Sequence, residues 1–280
     1  MTIRNRGLPP GWYPDSRALV ERAVSGFLAG VARGAAAACM APHAGWYYSG
    51  PIAAKAIAAL DPQAETVVVF GGHRPARTVP LLALEDGFET PAGTVSADLE
   101  LRAAVAADLP SAEDRWVDNT VEVMLPMIRV LFPASRVLWL RVAADVSSWE
   151  TGKTVAAAAG RLGRRAVAVG STDLTHYGPN YDFQPRGTGK EALEWVRTVN
   201  DAAFLRAVLA GDPGAAIARA EEDSSACSAG AAVAAMGFAA ACGAVSGDLL
   251  AYGTSADVSP ATSFVGYGAV AWTKPAVPAA

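Results

Sequence analysis

A chain of 280 residues with 52% hydrophobic and 18% charged side chains has the apolar material for a sizeable core, which excludes wholesale disorder. The net charge of -4 and the lack of any long Lys/Arg run exclude a nucleic-acid footprint, and no run of about 18 apolar residues marks a membrane span. Three cysteines at irregular spacing argue against a disulfide framework and fit a reducing cytoplasm, and residues 1–14 lack the apolar centre of a secretory signal.

Residues 11–14, Gly-Trp-Tyr-Pro, form an aromatic lead-in. Asp15 or Ser16 caps a helix predicted over 19–31, and Gly34 stops it. Residues 35–41 read as a buried strand, 42–51 (Pro-His-Ala-Gly-Trp-Tyr-Tyr-Ser-Gly-Pro) as the loop at its exit, and 52–60 as a helix with Pro51 in its first turn. The β-branched run 66–70 is a second buried strand, ending in Gly71-Gly72-His73, where two glycines permit a tight turn that exposes the histidine. A strand is expected over 79–84, a turn-rich segment over 88–95 and a helix over 98–109. A polar loop over 111–120 and a helix over 121–132 follow. Strands over 136–142 and 166–170 flank a helix over 149–162, and the second opens into Ser171-Thr172-Asp173-Leu174-Thr175-His176-Tyr177-Gly178. Residues 189–209 and 213–222 read as helices, 223–228 as a polar break, 229–242 as a small-residue helix, 249–252 and 263–272 as closing strands, and 274–280 as a frayed tail. Strands alternating with helices throughout argue one α/β domain over 1–280 with helices on both faces of the sheet.

The chain has three histidines, His43, His73 and His176, and the pattern puts all of them on loops at strand exits, where open α/β sheets bind ligands. With Cys227, at the start of the 229–242 helix, they offer imidazole and thiolate donors of the kind that suit iron(II), zinc or copper. His43 reads as a ligand or a general base, and His176 as a catalytic group whose ring Asp173, three residues before it, can orient. Trp46, Tyr47 and Tyr48 are candidates for a pocket wall, and Glu122 points at the same sheet edge. Cys39 and Cys242 read as small buried residues.

Several of these motifs together are specific: Pro42-His43-Ala44-Gly45 followed by Tyr48-Ser49-Gly50-Pro51, Gly71-Gly72-His73, Glu122 with Leu125-Pro126, the 171–178 segment, and Cys227 before a helix. Over most of its length the chain resembles the Memo family, also called AmmeMemoRadiSam system protein B, which is similar in fold to the LigB-like class III extradiol dioxygenases. The resemblance implies a three-layer αβα sandwich around a mostly parallel or mixed sheet. It implies metal ligands at His43, His73 and Cys227, with His176 in the place of the dioxygenases' acid/base histidine and Asp173 near it. Cys227 stands where the dioxygenases carry a ligating glutamate, and a thiolate shifts preference toward copper or thiolate-bound iron. The chain departs from the family pattern at Gly71-Gly72-His73-Arg74, a shorter turn, and at Asp118-Asn119-Thr120, which replaces Glu-His-Ser. The implied activity is that of a non-haem-metal oxidoreductase acting on a small, aromatic molecule with O2. Two other readings are a non-catalytic metal- or partner-binding protein working with radical SAM and AMMECR-type proteins, and a zinc hydrolase with Asp173 or Glu122 as base.

Overall fold

The computed structural model describes residues 1–244 and 246–274. In chain order the principal elements are α1 (Arg17–Phe27), β1 (Ala38–Ala41), α2 (Trp46–Ala58), β2 (Thr66–Gly71), β3 (Leu81–Leu82), α3 (Leu99–Asp108) and β4 (Ala112–Glu113). Then come α4 (Asn119–Glu122), α5 (Leu125–Leu131), β5 (Arg136–Arg141), α6 (Ser147–Arg161), β6 (Ala166–Ser171) and β7 (His176–Tyr177). The chain continues through α7 (Lys190–Trp195), α8 (Asp201–Ala210), α9 (Pro213–Asp223), α10 (Ala229–Ala241), β8 (Asp248–Thr254), α11 (Ser255–Val258) and β9 (Phe264–Trp272).

The main sheet runs β7-β9-β1-β6-β2-β5-β3-β4, and β8 pairs with β9. Strands β1, β6, β2 and β5 are mutually parallel, so their C-terminal ends share one edge. Strand β9 runs antiparallel to β1, β7 and β8, which makes the sheet mixed. Residues Ile3–Arg4, Gly87–Phe88 and Val95–Ser96 form a separate small sheet.

Successive strand side chains alternate faces, and both faces are apolar because both are covered. Met40, Val68, Phe70 and Leu140 pack with α3, α6, α8, α9 and α10, whereas Cys39, Val67, Val69 and Trp139 pack with α1, α2 and α5. The result is an αβα sandwich with one core on each side of the sheet, as the alternating pattern predicts. Helix α10 is apolar all round and almost wholly buried, the signature of a core helix. It sits so tightly on the loop after β5 that a Cβ on Gly230 would lie 1.8 Å from the Ala143 carbonyl oxygen. That contact fixes the first turn of α10, and with it Cys227 just upstream.

Four element readings change. Helix α2 starts at Trp46 rather than near Ile52, because Trp46 is a core residue and draws residues 46–51 into the helix. Pro51 therefore lies inside α2, where it deprives the Tyr47 carbonyl of its helical donor on the exposed side. The 121–132 helix is two helices, α4 and α5, joined at Val123 and Met124. The expected 79–84 strand shrinks to the two residues that pair with β5. The 189–209 helix is continuous but contains a π turn at Val196–Asn200. Of the tail expected to fray, residues 275–280 lie outside the described residues. No helix among the described residues is long and apolar enough to cross a membrane.

Candidate metal centre

Three adjacent parallel strands deliver the site. Pro42 and His43 follow β1, Thr172 and Asp173 follow β6, and Gly72 and His73 follow β2. Cys227 arrives from the opposite direction, just ahead of α10. The donor atoms of His43, His73 and Cys227 all lie within 4.8 Å of one another. Cys227 Sγ is 3.2 Å from His43 Nε2, and the two imidazole rings meet edge to face with centroids 5.1 Å apart.

Each ring has its remote nitrogen engaged, which aims the other toward the common point. His43 Nδ1 contacts Ser171 Oγ at 3.0 Å, and His73 Nδ1 contacts Asp118 Oδ2 at 3.2 Å. The same Asp118 oxygen lies 3.3 Å from Arg141 Nη1, and Arg141 in turn lies 3.8 Å from the fully buried Asp114. The backbone is pinned as well. Asp173 Oδ1 accepts from the amides of His43 and Ala44 (2.7 and 3.3 Å), the Asp173 carbonyl accepts from the Cys227 amide (3.3 Å), and Asn119 Nδ2 donates to the His43 carbonyl (3.1 Å).

The Gly71-Gly72 turn works differently from the sequence expectation. The left-handed residue is His73 itself (φ 55°), while Gly72 is needed for close approach: a Cβ there would sit 2.2 Å from Ser228 Cβ. Ser228 Oγ accepts from the His73 amide at 3.3 Å, so the residue after one donor holds the loop of another.

The charges are coupled. Burial opposes ionisation of His43 and His73, but Cys227 with Asp173 outweighs it at His43, and Asp118 with Cys227 outweighs it at His73, which is raised to about 10. Burial likewise opposes the Cys227 thiolate, yet the two imidazoles and His176 hold it well below the ordinary thiol value. Asp118 is lowered to about 2 despite burial, by His73, Thr120 and Arg141. Burial raises Asp173. These shifts favour charge separation between the Cys227 thiol and the two imidazoles, and a metal bound by the three would release their protons.

His176 stands across a cavity of about 420 Å³ that His43 and His73 also line. Its Nδ1 lies 3.2 Å from the Leu174 carbonyl, an acceptor only, so Nδ1 carries the hydrogen and Nε2 is the basic nitrogen. The ring also meets Tyr181 edge to face at 4.9 Å. The segment bearing it is anchored by Asp201, whose Oδ1 accepts from the Thr175 amide at 3.0 Å, and by Asn200 Nδ2, which donates to Thr175 Oγ1 at 2.9 Å. The π turn ends at Asn200, the first residue of this pair.

Of the residues singled out in the sequence, the structure brings His43, His73, Cys227, Asp173, His176 and Tyr48 to this cavity or its floor. Asp173 serves the His43 loop and Cys227, and no hydrogen bond joins it to His176 among the described residues. Trp46 does not reach the cavity: it is 5% exposed, donates Nε1 to the Val123 carbonyl at 3.0 Å and packs edge to face on Tyr13 and Phe27. Glu122 is also elsewhere, with its carboxylate accepting from the Gly7 and Leu8 amides and from Tyr13 Oη (2.7 Å). It fastens the N-terminal segment that carries Trp12 to the cavity wall. Asp118, Asn119, Arg141 and Tyr181 were not singled out as site residues. The position of Asp118-Asn119-Thr120, where the resembled family has Glu-His-Ser, pointed toward the first two, and no sequence signal marked Arg141 or Tyr181.

Two imidazoles and a thiolate are a competent donor set for a single transition metal. Metal–nitrogen and metal–sulfur bonds of about 2.0 and 2.3 Å place neighbouring donors some 3–4 Å apart, close to the separations here. All three cysteines are free thiols, so Cys227 is available.

The fold and the site define a three-layer αβα protein with a His/His/Cys donor cluster, a candidate metal centre, at the C-terminal edge of its parallel strands. The family model described as Memo-like protein matches residues 7–271. A MEMO1 family protein of Methanococcoides burtonii is 33% identical over 236 residues, covering 82% of this chain and 83% of that one. Another, from Methanopyrus kandleri, is 29% identical over 246 residues, and one from Thermococcus onnurineus is 27% identical over 97% of this chain and 100% of its own. The chain belongs to the Memo-like family.

Proposed function

We propose that this protein is a metal-dependent oxidoreductase of the class III extradiol dioxygenase type, acting on a small aromatic substrate. One transition metal, Fe(II) first and copper or zinc next, would be held by His43, His73 and Cys227. The observation that supports the reading is the convergence of these three donors beside a cavity that also presents a histidine with a free basic nitrogen. When bound, the metal supplies Lewis acidity and, if iron or copper, one-electron chemistry toward O2. In this reading His176 Nε2 takes the proton from a substrate hydroxyl and returns it later. Asp173 and Asn119 hold the His43 loop in register, and Tyr48, Tyr181 and Tyr267 form the wall against which a planar ring lies. The proposed location is the cytoplasm, where reducing conditions keep the Cys227 thiolate out of disulfides.

The test is the metal content of protein purified without oxygen, beside His43→Ala and Cys227→Ser, each checked for fold by circular dichroism. About one iron or copper per chain in wild type, lost in both variants, followed by O2 uptake with catechols, supports the reading. Folded wild type that holds no stoichiometric metal after reconstitution refutes it. Retained zinc without O2 uptake favours hydrolysis instead. A second reading, assembly with radical SAM and AMMECR-type proteins, takes support from Tyr47, Trp116 and Val117, which are 68%, 66% and 67% exposed and adjoin the site residues Tyr48 and Asp118 in sequence. Co-purification with such proteins, abolished by Trp116→Ala, tests it.

A further inference from the structure

The extradiol-type reading leaves open which diols the cavity accepts, and the charges around it bear on that question. Among the described residues no lysine or arginine lines the cavity. Apart from the phenols of Tyr48, Tyr181 and Tyr267, its ionisable lining groups are Asp173 and the imidazoles of His43, His73 and His176. The guanidinium of Arg141, which reaches Asp118 behind His73, is 5% exposed and already lies between Asp118 (3.3 Å) and Asp114 (3.8 Å). It is committed to the far side of His73 and is not directed at a ligand.

With no lysine or arginine in the lining among the described residues, nothing there is placed to pair with a second anionic group, Asp173 is the lining's acidic side chain, and a carboxylate, sulfonate or phosphate held against this wall without a partner is disfavoured. The remaining wall is neutral on both counts that matter for recognition. Asn119, Asn180 and Ser263 offer uncharged hydrogen-bonding groups, and Trp12, Tyr48 and Tyr181 offer aromatic faces or edges. The volume, about 420 Å³, is that of a small-molecule pocket.

We propose that the cavity selects an uncharged aromatic diol, with further neutral hydroxyl or amide groups accommodated, and discriminates against the same diol carrying an additional acidic group. This inference rests on the extradiol-type reading of the same site.

The test uses iron-loaded protein of verified metal content, without oxygen, titrated by calorimetry with two probes that share one diol: 4-methylcatechol and 3,4-dihydroxybenzoate. The methyl compound is expected to bind at least about tenfold more tightly. Equal or tighter binding of the benzoate overturns the inference while leaving the diol reading in place. If neither probe binds, the inference and the underlying reading both fall. Two exposed lining positions, Asn180 and Ser259, allow the complementary experiment. Asn180→Arg or Ser259→Arg adds the missing cation and is expected to raise benzoate affinity by about tenfold with little change for 4-methylcatechol. An affinity ratio that neither variant moves overturns the charge account.

Discussion

Asp118 joins the candidate metal centre to the buried charges beneath it, and replacing it with asparagine separates its contributions. The substitution keeps the size of the side chain and its capacity to cap α4, where Asp118 Oδ1 accepts from the Thr120 amide at 2.9 Å. It removes one negative charge, 3.2 Å from His73 Nδ1 and 3.3 Å from Arg141 Nη1. Orphaning a buried guanidinium outright costs ~3–5 kcal/mol. Here Asp114 remains 3.8 Å from Arg141, so the loss of fold stability falls below that range. For metal affinity, loss of the partner that orients a ligating imidazole costs about 10–100-fold, or roughly 1.4–2.7 kcal/mol. The pH dependence carries the sharper signature. His73 keeps its proton up to about pH 10, and a metal must displace it, so affinity in wild type climbs with pH through the neutral range and levels near 10. In Asp118→Asn the histidine loses the leading group that raises it, so the climb levels off at lower pH. Calorimetric metal titrations from pH 6 to 10, in buffers of different ionisation enthalpy, measure both affinity and protons released. An unchanged affinity together with an unchanged pH profile would refute the coupling.

Three further outcomes follow from particular contacts. Gly72→Ala places a methyl group 2.2 Å from Ser228 Cβ, forcing the His73 loop and the Cys227 segment apart. Overpacking of about 1–3 kcal/mol is expected to appear as a lower melting temperature and, more strongly, as weakened metal binding. Glu122→Ala removes the acceptor of the Gly7 and Leu8 amides and the Tyr13 hydroxyl; Gly7 is exposed and the other two half-buried, so water takes over part of the bonding and the loss is about 1–3 kcal/mol in all. Urea denaturation is expected to show the stability loss, iodide quenching of tryptophan to show Trp12 released, and metal stoichiometry to stay at the wild-type value. His176→Ala is expected to leave metal content unchanged and to cut O2-dependent turnover about 10²–10⁴-fold, so metal lost together with activity would remove His176 from its proposed proton-transfer role.

The parts of this fold that the sequence announces are those governed by local physics. Strands β2, β5 and β6 are buried on both faces, read as continuous apolar runs, and match their expected spans within a residue or two. Helices α6 and α10 likewise follow from periodicity and composition. What stays hidden depends on partners distant in the chain. Strand β3 is two residues long because only those two pair with β5. Trp46 looks like a loop aromatic until Val123, Tyr13 and Phe27 surround it. Glu122 is indistinguishable from an ordinary acid in a first helical turn, because its acceptor role is set by residues 115 positions away. Asp118 shows the same ambiguity at the site itself: as an N-cap it needs no further explanation, and nothing local reveals that its other oxygen meets His73.

Asp173 gives both His43 and Cys227 a common anchor, its carboxylate holding the amide of one and its carbonyl the amide of the other. Those two residues are separated by 184 positions, and the Asp173 that references them comes from a third part of the chain. The centre therefore has no local precursor, since a fragment must extend from β1 to α10 to contain its donors. A nascent chain emerging from its N-terminus offers single imidazoles but no site. Under the proposed function, metal acquisition would be a late event, open only to a chain already folded through α10, and a stoichiometric metal would stabilise the folded state by mass action.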